Sequence, residues 1–292
     1  MRPPLCVELL RPMHLIGGKP EDRLTELFGE SVVAAEEITE ALGVQVRRAV
    51  ELLVQALSEA ALEARLQGEP DPLPTDRGEV YEAAVTVMMR VVFLLFAEER
   101  GLLPPSGLFA HGYGISDQLD ELDQRLRDDG AETLDATSLT WHRLLATSHA
   151  LWRGASFEDV RLPSYGGSLF DPARYPFLTA RNANGSLTIT VSDRVMIEVL
   201  RSVQMAQLRG QPSQRISFRD IDVEQIGYCY EGLLGYSTVE VDKLTVGLIG
   251  SSGQEPEMTL AELEQLAAAN RTPAKLVDAI LVRIAHSQPA AK

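Results

Sequence analysis

At 292 residues, with 45% apolar and 24% charged side chains, the chain has enough material for one large core or two modest ones, which excludes a disordered or fibrous polymer. Its 27 Lys plus Arg against 42 Asp plus Glu give a net charge of −15, so the averaged surface repels nucleic acid and any contact with DNA must be local. Two cysteines, Cys6 and Cys229, lie far apart in sequence, offering neither metal-ligand spacing nor a disulfide framework, and fit a reducing cytoplasm.

Residues 1–20 read as an extended segment, because Pro3, Pro4, Glu8, Arg11 and Pro12 interrupt any continuous apolar run of the kind a secretory signal needs. From Glu21 to Gln67 the Ala/Glu/Leu-rich pattern predicts helix, with Gly43 as a candidate break, and the three prolines of 68–74 predict a crossing loop. A second helix is expected from Arg77 to Gly101, with Pro104 and Pro105 just beyond its end. Its apolar core, Ala83 to Ala97, is about five residues short of a membrane span and carries Thr86 and Arg90, which predicts a buried helix and no membrane partner. Arg90, set in that apolar helix, is expected to meet a carboxylate in a structural salt bridge.

Shorter helices are predicted over 116–129 and 138–151, then an irregular connection over 156–185 and a short strand over 187–191. Asp193 is read as the cap of a helix reaching Leu208, and a further helix runs from Asp222 to Leu234. Past Gly235, Val239, Val241, Leu244, Val246 and Leu248 suggest one or two short strands. Thr259 and Glu262 then form a capping-box pattern ahead of Leu260–Ala269, and a last helix covers Pro273–Ala285 before a frayed tail. The predicted fold is mainly α: a multi-helix domain over 21–236 followed by a small α/β appendix over 237–292.

Three segments carry a family resemblance. They are the string Phe93 to Pro104, ending Ala97-Glu98-Glu99-Arg100-Gly101-Leu102-Leu103-Pro104; the turn Tyr165-Gly166-Gly167-Ser168-Leu169-Phe170-Asp171; and Ile226-Gly227-Tyr228-Cys229-Tyr230-Glu231-Gly232-Leu233-Leu234. In this order they resemble the N-terminal helical region of Eco57I-like (type IIG) restriction-modification enzymes and of the adenine-specific DNA methyltransferases of BREX and DISARM phage defence. The resemblance implies a methyltransferase catalytic domain or subunit as partner, with S-adenosylmethionine as cofactor of the complete enzyme.

The motifs that would hold that cofactor or clamp a flipped adenine are absent from this sequence. Asp171-Pro172-Ala173 starts like the cofactor loop, but Arg174, Tyr175 and Pro176 replace its glycines, and Asn182 and Asn184 are not followed by prolines. No catalytic or cofactor-binding residue is therefore assigned. A nuclease-like Glu240-Val241-Asp242-Lys243 run is set aside because strand alternation puts Lys243 on the face opposite Glu240 and Asp242. No metal site is assigned either: among His14, His111, His142, His149 and His286 the nearest approach to ligand spacing is the pair His142 and His149, without cysteine or carboxylate support.

Local charge supplies the remaining candidates. Arg194, Arg201, Arg209, Arg215 and Arg219 stand against the single acid Glu198, and on one helix Arg194, Arg201 and Arg209 would share a narrow arc. One reading makes this a ridge that tracks a nucleic-acid phosphate backbone; the other makes it the counterweight to acids elsewhere in the chain or on a partner. The sequence thus predicts a non-catalytic scaffold and DNA-docking part of an adenine-specific DNA methyltransferase. The alternative is an acidic helical protein-interaction module of a defence complex without nucleic-acid binding.

Overall fold

The computed structural model describes Lys19 and residues 24–206, 213–219, 221–236, 238, 241, 243–248 and 256–284; along 24–42 it describes the backbone and, of the side chains, only Glu26. The predicted extended segment over 1–20, except Lys19, and the tail from 285 lie outside these residues. The architecture is mainly α with small two-stranded sheets, as predicted. Backbone contacts divide the chain into two units, 1–234 and 235–292.

In the first unit, helix α1 (Leu24–Leu66) runs unbroken through Gly43, where the intrinsic penalty of about 1 kcal/mol for a helical glycine is outweighed by the rest of the helix. Val46, Val50, Leu53, Leu57, Ala61 and Ala64 recur at three- and four-residue spacing and are all buried, forming the stripe that faces the core. Full burial of each of the larger members contributes about 1.5–3 kcal/mol.

Helix α2 (Arg77–Glu99) starts where Asp76 caps it, its carboxylate accepting from Gly78 N at 2.9 Å. It ends in a Schellman arrangement, with Gly101 N donating to the Glu98 carbonyl (3.0 Å) and Leu102 N to the Ala97 carbonyl (2.8 Å); the required φ of +66° explains the glycine. By length and composition α2 could cross a membrane, contrary to the shorter span read from Ala83–Ala97. Yet 72% of its most apolar window is buried inside the molecule. Burial on nearly every side makes α2 the central element of the unit.

Around it lie α3 (Gly107–Gly112), α4 (Gln118–Asp129), α5 (Ala131–Asp135) and α6 (Leu139–Arg153). The stretch predicted as irregular opens instead with an antiparallel hairpin, β1 (Ala155–Phe157) and β2 (Val160–Leu162), in register Phe157 to Val160. Residues 187–191 form no strand: Arg181 and Leu187 make one isolated bridge, while Ile189 and Val191 are buried in the core.

Helix α7 (Asp193–Gln204) is shorter than the predicted helix to Leu208, and its cap is Ser192, whose hydroxyl accepts from Val195 N. It lies along α1 with Met196, Ile197, Val199, Leu200 and Val203 buried. Strands β3 (Met205–Ala206) and β4 (Gln214–Arg215) form a second small hairpin, and α8 (Val223–Leu233) closes the unit against α1 and α2.

The second unit has β5 (Thr245–Gly247) antiparallel to β6 (Glu257–Thr259), then α9 (Leu260–Ala269) and α10 (Pro273–Ile284). The capping box is formed as read: Glu262 N donates to Thr259 Oγ1 (3.3 Å) and Thr259 N donates to Glu262 Oε2 (3.0 Å). Those bonds from Thr259 hold the Glu262 carboxyl below its usual range.

Candidate functional site

The three resemblance segments, spread over more than a hundred residues, come together on α2. The first is the C-terminal half of α2 itself with the turn that follows. Glu98 reaches back under the start of α4, its two carboxylate oxygens accepting from Ile115 N (2.8 Å) and Ser116 N (2.9 Å). Burial pushes the Glu98 carboxyl up, and the bonds from Ser116 and Ile115 partly restore it. Glu99 and Arg100 grip the strand end leading to α8: Glu99 Oε2 accepts from Ser217 Oγ and Arg219 N, and Arg100 Nη2 donates to the Arg219 and Ile221 carbonyls. The acids that look misplaced at a helix C-terminus therefore hold neighbouring chain in place.

The second segment rests on the same helix. Phe170 is buried edge-on against Phe93, ring centroids 5.3 Å apart, and the Leu169 carbonyl accepts from Arg90 Nε at 2.7 Å. Here the expected salt bridge is corrected: Arg90 is 3% exposed and, among the described residues, forms no ion pair. Burial lowers its pKa to about 10, Arg174 adds to the fall and Tyr175 and Asp171 oppose it, so it remains a cation at neutral pH. Asp171, the nearest acid in sequence, spends an oxygen on Ala173 N in a local turn.

The third segment is α8, joined to α2 where Tyr81 Oη donates to the Leu233 carbonyl at 2.8 Å. Gln225 Oε1 accepts from Asp222 N and fixes the helix start. Leu233 is buried, but Val223, Tyr228, Tyr230 and Leu234 are exposed, Tyr228 to 67%. Glu224 and Glu231 flank them, and the helix carries no Lys or Arg.

The five candidate arginines do not form one ridge. Helix α7 ends at Gln204, so the arc shared with Arg209 does not exist, and Arg209 lies outside the described residues. Arg194 is exposed on the first turn of α7. Arg201 pairs with Asp123 of α4 and with Glu198 (2.7 Å). Arg215 pairs with Asp120 (2.7 Å) and also donates to the Ser116 carbonyl and Gln204 Oε1. Arg219 donates to the Glu99 carbonyl from Nε and Nη2. Three of the five thus have partners within the chain. Replacing Arg201 and Arg215 by Gln is expected to leave retention on DNA unchanged across a salt titration and to cost under about 1 kcal/mol per lost surface pair in urea unfolding. A flattened salt dependence would restore the phosphate reading.

Arg201 and Arg215 with Asp120 and Asp123 line an open cleft of about 550 Å³ whose floor includes Gln45, Leu119 and Met205. Sequence spacing could not show it, because its walls come from α1, α4, α7 and β4. His142 and His149 do not meet: the His142 ring engages the Ser138 carbonyl, and His149 lies beside Trp152. Lys243 is described, but its partners in the nuclease-like run, Glu240 and Asp242, are outside the described residues.

No family model, no curated protein and no solved structure matches this chain.

Proposed function

We propose that the chain is a non-catalytic helical support within an adenine-specific DNA methyltransferase assembly, and that it faces protein rather than DNA. The observation that carries this reading is the convergence of the three resemblance segments on α2, with the last of them leaving Tyr228 and Tyr230 exposed. Contacts within the chain account for Glu98, Glu99, Arg100 and Phe170. They do not account for an aromatic face held outward. Tyr-rich, acid-flanked surfaces suit a protein interface whose partner supplies an apolar centre and a basic rim.

The DNA-docking version receives less support, because Arg201, Arg215 and Arg219 are engaged within the chain and the net charge is −15. In the complete assembly the partner supplies the S-adenosylmethionine loop and the adenine-clamping motif that this sequence lacks. Mixing the purified chain with the catalytic methyltransferase polypeptide of the same source and following sedimentation tests the reading. Association that persists as salt is raised through the range that strips DNA from proteins supports it; failure to associate with that polypeptide rejects it.

A further inference from the structure

Arg90 leaves much of its hydrogen-bonding capacity unused, a property that does not depend on the methyltransferase reading. It is 3% exposed, yet among the described residues its one hydrogen bond runs from Nε to the Leu169 carbonyl (2.7 Å), and neither Nη group has a partner. Neither Nη is among the fully enclosed side-chain atoms that lack a partner, so the fork of the guanidinium reaches solvent through a narrow opening. An unpaired cation held largely out of water is costly, and the planar fork presents its donors in the geometry that suits two oxygens of one anion. Burial and geometry together call for an oxyanion at that opening.

The surroundings narrow its chemistry. The ionisable groups that act on Arg90 are Tyr175, Arg174 and Asp171. Tyr175 donates its hydroxyl to Glu82 Oε2 (3.3 Å), and Glu82 lies two helical turns before Arg90, about 12 Å along the axis of α2. Asp171 holds one oxygen on Ala173 N, Arg174 lies with its guanidinium 5.3 Å from the centre of the Tyr175 ring, and among the described residues neither forms an ion pair. Two cations against one acid leave a single positive charge, which one carboxylate balances. A phosphodiester also carries one charge, but a chain of net charge −15 repels a polyanion far more than a small carboxylate. Phe93, three residues on and on the same face of α2, is 39% exposed although Val91, Val92, Leu94 and Leu95 around it are buried. Its ring meets Phe170, the neighbour of Leu169, so an apolar surface stands next to the fork.

We propose that the Arg90 fork binds a small carboxylate whose apolar body lies on Phe93. Calorimetric titration of the full chain with benzoate, against benzamide and acetate, tests it. Benzoate is expected to bind; benzamide, which keeps the shape but not the charge, should bind at least about tenfold more weakly, the effect of one lost charge-assisted hydrogen bond. Acetate, which lacks the ring, should also bind about tenfold more weakly. Arg90→Met, which removes the charge, and Arg90→Lys, which keeps it without the fork, should each weaken benzoate binding at least about tenfold. If neither variant folds, Phe93→Ser at the half-exposed position decides the matter, with benzoate binding weakened to the level of acetate. Any of four results overturns the proposal: no binding of benzoate up to about 10 mM, beyond the weakest affinities typical of specific sites; benzamide or acetate binding as tightly as benzoate; benzoate binding unchanged in a folded Arg90 variant; or benzoate binding unchanged by Phe93→Ser.

Discussion

Replacing Asp193 by Ala is expected to lower the free energy of unfolding by about 3 kcal/mol, the low end of the cost of breaking a buried charge network from one side. Asp193 has no exposed surface, and each of its oxygens is engaged. Oδ1 accepts from Thr140 N at 2.9 Å; Oδ2 accepts from Arg125 Nη1 at 2.9 Å and from Thr137 Oγ1 at 2.7 Å. Ser138 makes no side-chain cap at the start of α6, so Asp193 serves that helix from the first turn of α7 while tying both to α4. Removing it takes the carboxylate from Arg125, leaving that partly exposed side chain its bond to Thr137 Oγ1, and frees an N-terminal N–H of α6 in a buried place.

The same bonds give the pH dependence its sign. Burial alone would raise the Asp193 carboxyl, but the bonds from Thr140, Arg125 and Thr137 prevail and hold it below its ordinary 3.8. A carboxyl lowered in the folded state contributes stability that is fully present above 3.8 and is lost as pH falls through the folded value. Urea midpoints of the wild type and Asp193→Asn should therefore differ most near neutrality and converge in acid. A constant difference from pH 7 to pH 2 would show that shape, not charge, sets the effect.

Converting Tyr228 and Tyr230 together to Glu is expected to weaken association with the catalytic polypeptide at least about thirtyfold, since an interface anchor lost from a desolvated centre costs about 2 kcal/mol or more. Tyr228 is 67% exposed and contributes little to the folded chain, whereas Tyr230, 37% exposed, buries more than half of its surface, so Tyr228→Glu alone, with unchanged melting behaviour, separates lost docking from lost stability. Added acid on a surface already flanked by Glu224 and Glu231 should slow association as well as speed release. If the double variant binds as tightly as the wild type, with the same melting behaviour, α8 is not the docking face.

The helices and their ends were legible where capping chemistry is local. Gly101 after Glu99 and the Thr259–Glu262 pair announce their boundaries within a few residues, and the structure uses both as read. The β1–β2 hairpin was not legible: its strands have three residues each, and its two-residue turn places Glu158 at φ +46° without the glycine or asparagine that normally signals such a turn. The cap of α7 was displaced by one residue because Ser192 and Asp193 are both good N-cap types; tertiary demand at α6 decides between them, and that demand is invisible in a local window.

The charge pattern was legible as composition but not as geometry. Arg201 and Arg215 stood out in a basic stretch, yet their acids, Asp123 and Asp120, lie far away in sequence on α4. For Arg90 the sequence showed the problem, a cation in an apolar helix, but not its solution, a backbone carbonyl in the turn at Leu169.

The most direct test of the support role is sedimentation of the chain with the catalytic methyltransferase polypeptide, with adenine methylation assayed for each alone and for the mixture. A stable complex in which the chain alone transfers no methyl group is predicted. Methyl transfer by the chain alone, or two components that sediment independently, would contradict the account.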